Sequence, residues 1–92
     1  MAEPVFILRL LAPDGTMEEH DVVSVTAPGE LGYLGILAHH VPLVTTLTRG
    51  GLIWRAPDGL SHHQEIPGGL LEVRQDRVTV LTASPTAATR PA

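Results

Sequence analysis

Residues 28–42 read Pro28-Gly29-Glu30-Leu31-Gly32-Tyr33-Leu34-Gly35-Ile36-Leu37-Ala38-His39-His40-Val41-Pro42, with three glycines at intervals of three between two prolines. A dinucleotide-binding turn would need a strand, then G-x-G-x-x-G, then a helix whose N-terminus faces the phosphates. The glycine spacing here is different, and Ile36 to Pro42 offers no helix. The glycines therefore read as tight bends in a long irregular loop. That loop shows Leu31, Tyr33 and Leu34 beside Glu30, and apolar side chains on a braced surface loop mark a docking site.

Outward from this loop, turn signals recur about every eight to ten residues, between short apolar or alternating runs. That rhythm predicts an all-β sandwich or barrel rather than βαβ units. Upstream, Val5 to Leu11 is a β-rich run ended by Ala12-Pro13-Asp14-Gly15, Thr16 to His20 a short return strand, and Asp21 to Ala27 an alternating half-buried strand. Downstream, Leu43 to Leu47 is a strand, and Leu52 to Ala56 and Leu60 to Ile66 make a hairpin around Pro57-Asp58-Gly59. A last hairpin pairs Leu70 to Arg74 with Arg77 to Thr82 across Gln75-Asp76, with Leu71, Val73, Val78 and Val80 in the core. Proline or glycine interrupts every candidate helix. The Ala/Thr/Ser/Pro-rich segment Pro85 to Ala92 is predicted to be a disordered tail, leaving residues 1–84 as one domain.

Composition narrows the function. The chain has 92 residues, a net charge of -4 and no cysteine, so neither a disulfide framework nor a thiolate metal site is available. It has no lysine and its arginines are scattered, which excludes a nucleic-acid surface. The start Met1-Ala2-Glu3-Pro4 lacks the features of a signal peptide, and no apolar run is long enough to span a bilayer. Among the five histidines, the adjacent pairs His39-His40 and His62-His63 would point to opposite faces of a strand and not chelate one ion. His40 is expected to hydrogen-bond its own bend, with His39, His62 and His63 in solvent. No serine stands in a nucleophile elbow, and Glu18-Glu19 reads as a solvated pair. Neither catalysis, a cofactor, a metal nor a small-molecule substrate is expected.

The run from Ala27 to Leu43 resembles the signature of the F-type ATP synthase epsilon subunit: a Pro-Gly step, two more glycines, an Ile-Leu-Pro step, then H-x-P-L. Gly50, Asp58-Gly59, Gly68-Gly69-Leu70-Leu71-Glu72-Val73 and Val78-Thr79-Val80-Leu81 agree in order and spacing, so the likeness covers residues 4 to 83. It implies a flattened antiparallel β-sandwich of about ten short strands. It also implies a non-catalytic rotor subunit between gamma and the c-ring, peripheral on the cytoplasmic face of the bacterial membrane. Glu30, Leu31, Gly32, Tyr33, Leu34, His39 and His40 would meet the partners, with Glu30 placed to pair with a basic residue of the ring loops. Two departures stand out. Ala38-His39 replaces the family's Pro-Gly, and the Pro-containing tail replaces a two-helix hairpin, so neither inhibitory helices nor an ATP site is expected. A free-standing β-sandwich that binds a peptide or small ligand at a sheet edge is the competing reading.

Overall fold

The computed structural model describes residues 3–83 and the backbone of residues 90–91. Ten strands follow in chain order: β1 (Phe6–Leu11), β2 (Met17–Val22), β3 (Ser24–Gly29), β4 (Gly32–Ile36), β5 (Leu43–Leu47), β6 (Gly50–Arg55), β7 (Ser61–Ile66), β8 (Gly69–Arg74), β9 (Arg77–Leu81) and β10 (Arg90–Pro91). No helix occurs among the described residues. The strands form one curled sheet in the order β10-β7-β6-β3-β5-β8-β9-β1-β2, with β4 attached to β3. Folded over, it gives two layers: β10-β7-β6-β3-β4 and β5-β8-β9-β1-β2.

The layers are joined at one residue pair. β3 pairs with β6 through Ser24, Val25 and Thr26, then touches β5 only at Gly29 opposite Leu47. Between those contacts stands Pro28, which has no N–H to give to a ladder. Its carbonyl instead accepts from the Thr48 amide at 2.8 Å. The proline thus marks the point where β3 changes neighbours and the sheet bends into a sandwich.

Period-two alternation builds the core. Phe6, Leu8 and Leu10 of β1, Leu71 and Val73 of β8, and Val78 and Val80 of β9 are buried from one layer. Val25 and Ala27 of β3, Ile36 of β4, Leu52 and Trp54 of β6 and Ile66 of β7 meet them from the other. With three aromatic residues in the chain, valine and leucine supply most of this packing, each burial worth about 1.5–3 kcal/mol. Trp54 is the largest member and contacts two imidazoles, His62 with ring centroids 5.6 Å away and His20 5.0 Å away.

The expected strand Asp21 to Ala27 is broken. Asp21 and Val22 end β2, and Val23 is a bend whose amide donates to the Arg55 carbonyl at 2.8 Å. Val22 and Val23 are both buried, Val22 within the core cluster and Val23 outside it, where the chain passes between layers. One strand pair is parallel: β1 runs alongside β9, while the other pairings are antiparallel. A parallel pair needs a long connection, and nearly the whole chain lies between these two strands. Of the segment 85–92, only Arg90 and Pro91 are described. They pair with His63 and His62 of β7, and the rest lies outside the described residues.

Candidate functional site

The glycine-rich stretch is a hairpin rather than an irregular loop. β3 and β4 pair from Val25 opposite Ile36 to Gly29 opposite Gly32, leaving Glu30-Leu31 as a two-residue turn. Only one of its three glycines needs a left-handed backbone: Gly32, at φ +125°. Gly29 is required for space, since a β-carbon there would press on Leu34 and the Gly32 carbonyl.

The turn lifts Glu30 and Leu31 clear of the domain, and Leu31 is fully exposed at 105% of its reference area. Tyr33, opposite Pro28, is 64% exposed, but its hydroxyl accepts a hydrogen bond from the Gly51 amide at 3.4 Å and ties the hairpin to β6. Leu34 does not join the exposed group. It is half-buried and packs against the core, because alternation turns it inward one step after Tyr33. Between the hairpin and β5 lies an open recess of about 290 Å³, lined by Glu30, Leu31, Tyr33, Leu34, Leu43 and Thr45.

His39 and His40 lie elsewhere. From Gly32 to Ile36 the chain climbs four strand residues, about 13 Å, before it reaches them. His39 adopts φ +64°, its amide donates to Asp76 Oδ1 at 2.6 Å, and its Nδ1 stands 3.2 Å from Asp76 Oδ2. His40 Nδ1 lies 2.8 Å from the carbonyl of Val41, a contact within its own bend. The predicted contact residues therefore divide into a hairpin tip (Glu30, Leu31, Gly32, Tyr33) and a corner at the other end of the strands, where His39 meets the β8–β9 turn.

His62 is not a free solvent side chain, whereas His63 stands at the surface with 39% of its side chain exposed. His62 stacks on Trp54 with an interplanar angle of 18°, and His63 Nε2 is 2.7 Å from Glu65 Oε2. The sequence held a signal for the stack. A hairpin centred on Pro57-Asp58-Gly59 sets Arg55 opposite Ser61 and hence Trp54 opposite His62. It held none for the Asp76–His39 contact, whose partners are 37 residues apart. Among the described residues no three His, Asp or Glu side chains gather as a metal-ligand set.

Residues 5–88 match the family model "ATP synthase, Delta/Epsilon chain, beta-sandwich domain". The ATP synthase epsilon chain of Citrifermentans bemidjiense is 41% identical over 81 residues, covering 88% of this chain and 57% of the relative. That of Nitratidesulfovibrio vulgaris is 38% identical over 77 residues, covering 84% and 57%. The chain thus spans little more than half the length of these curated relatives. In fold it is similar to a chain of the Euglena gracilis mitochondrial ATP synthase (OSCP/F1/c-ring structure), at a TM-score of 0.80 and 24% identity, covering 99% of this chain and 56% of that one. A chain of the Tetrahymena thermophila mitochondrial ATP synthase central stalk and c-ring gives a TM-score of 0.70 at 15% identity, covering 90% and 66%.

Proposed function

This chain belongs to the ATP synthase delta/epsilon-chain β-sandwich family, and on that premise we propose that it is a non-catalytic rotor subunit of a bacterial F-type ATP synthase. It joins the gamma subunit to the c-ring, so that ion flow through the ring and ATP synthesis turn together. It meets the membrane only through the ring, at the cytoplasmic face.

The observation that carries this reading is the β3–β4 tip. A fully exposed leucine is held out on a two-residue turn, beside a carboxylate, by a hairpin anchored at both flanks. Such a leucine is worth little to the isolated domain, and burying it against a partner contributes about 1.5–3 kcal/mol. Glu30 adds orientation, since an exposed ion pair with a basic ring residue gives register more than affinity. Two layers around one core suit the mechanical role, because shear between partners is opposed by the backbone ladders and the packed interior together.

The test is Leu31→Asp combined with Glu30→Lys. The isolated domain should keep its melting temperature to within about 2 °C, because neither side chain is in the core. Co-assembly with the c-ring should fall by about tenfold or more, which is 1.4 kcal/mol, while gamma binding is kept. Undiminished retention on the ring would remove the tip from the contact.

A further inference from the structure

The outer face of the β5-β8-β9-β1-β2 layer carries two unlike rows, set by strand register. At the end near the β3–β4 tip, Leu70 lies opposite Leu81, Leu81 beside Leu11, and Leu11 opposite Met17. Leu70, Leu81 and Met17 are exposed in the isolated chain. Four residues along β8, at the far end, Arg74 lies directly opposite Arg77. These two, with Arg9, Glu72, Gln75 and Thr79, line a polar cleft of about 410 Å³.

Like charges opposed across an antiparallel pair destabilise the sheet. Two other arginines are neutralised: Arg55 holds Glu3 through two contacts of 2.7 Å, and Arg9 holds Glu19 at 2.9 Å. Hydrogen bonding to Arg55 keeps the Glu3 carboxyl below its ordinary value. Arg74 and Arg77 form no ion pair with any described residue. In a chain of net charge -4, two guanidinium forks without an ion pair thus stand side by side in one surface cleft.

The occupant follows from the lining. Arginine forks accept carboxylates and phosphates alike, but Glu72 stands in the cleft and Glu19 already offsets Arg9, so the site opposes a polyanion. A carboxylate beside apolar side chains fits both the cleft and the leucine row, and that combination is a protein surface. Resting on the stalk assignment above, we infer that this outer face is the gamma-binding surface, with Arg74 and Arg77 receiving Asp or Glu side chains of gamma. The ring-directed tip is not part of this face, because β3 and β4 belong to the other layer.

The experiment measures the affinity of the whole chain for its own gamma subunit at low and moderate salt. The variants are Arg74→Gln/Arg77→Gln, Arg74→Glu/Arg77→Glu and Leu31→Asp. The glutamine pair should weaken binding about tenfold and flatten its salt dependence. Charge reversal should weaken it further, and Leu31→Asp should leave it unchanged. The glutamine pair relieves a like-charge contact, so its melting temperature should equal or exceed that of the parent and loss of binding will not be loss of fold. If the parent binds gamma and the glutamine pair binds equally well, this inference fails and the stalk assignment stands. If the parent does not bind gamma, both fail. If inorganic phosphate or ATP displaces gamma in an Arg74- and Arg77-dependent way at submillimolar concentration, the cleft is a phosphate site and the inference is overturned.

Discussion

Single residues in this domain owe their identity to different constraints that look alike in the sequence. Gly29, Gly32 and Gly35 are evenly spaced, yet only Gly32 has a left-handed backbone, Gly29 is small because Leu34 lies against it, and Gly35 faces open space. Gly69 is the most demanding position. It opens β8 at φ +153°, and a β-carbon there would run into the carbonyl of Leu81. Strained backbone of this kind costs about 1–3 kcal/mol without the collision. Gly69→Ala should therefore destabilise the domain by about 3 kcal/mol or more, whereas Gly35→Ala, extended and unobstructed, should be neutral or stabilising by up to about 1 kcal/mol. Urea unfolding of both variants tests this, and equal midpoints would refute it. Glycine spacing alone could not separate these cases, because at Gly69 the obstruction comes from a residue on another strand.

At the level of elements, legibility followed how local the determining contacts are. The strand Leu43–Leu47 and the pairing of β8 with β9 stand in the structure where alternation and turn residues place them. β4 was not legible. Gly32-Tyr33-Leu34-Gly35-Ile36 is interrupted by two glycines, which are depleted in strands, and it stands as a strand through its pairing with β3. The same pairing explains why the expected site was only half found. The tip emerged as exposed, while His39 was carried away along β4 to Asp76. Turn chemistry offers an adjustable element here. Gln75 and Asp76 both have positive φ, 51° and 58°, the conformation of a two-residue hairpin turn that favours Asn-Gly. Gln75→Asn should stabilise the domain by about 0.5–1 kcal/mol, since asparagine tolerates the left-handed region better. A lower urea midpoint would show that Gln75 contributes an interaction outweighing its backbone cost.

Across the whole molecule, one core serves both layers. The cluster joins Leu8, Leu10, Val78 and Val80 of one to Val25, Leu52, Trp54 and Ile66 of the other. Trp54 sits where the layers meet, in contact with His62 of β7 and His20 of β2. Neither layer keeps its buried face covered without the other, so unfolding should be two-state. Trp54 fluorescence and far-ultraviolet circular dichroism should then give coincident thermal curves. Curves displaced by several degrees would mean that the β6–β7 hairpin opens on its own.

The parallel β1–β9 pair has a consequence for synthesis. Ile7 finds its neighbour in Arg77, so β1 waits for β9, which is made much later. At about 5–20 residues per second that wait is roughly 4–14 s, during which one edge of β1 has no partner. β2 alone accompanies it, and its outward side chains include Glu19 and Asp21. β2 ends the finished sheet order, and charge along an edge strand discourages pairing with a neighbouring chain, so these carboxylates guard the β1–β2 hairpin while it waits and the sheet edge afterwards.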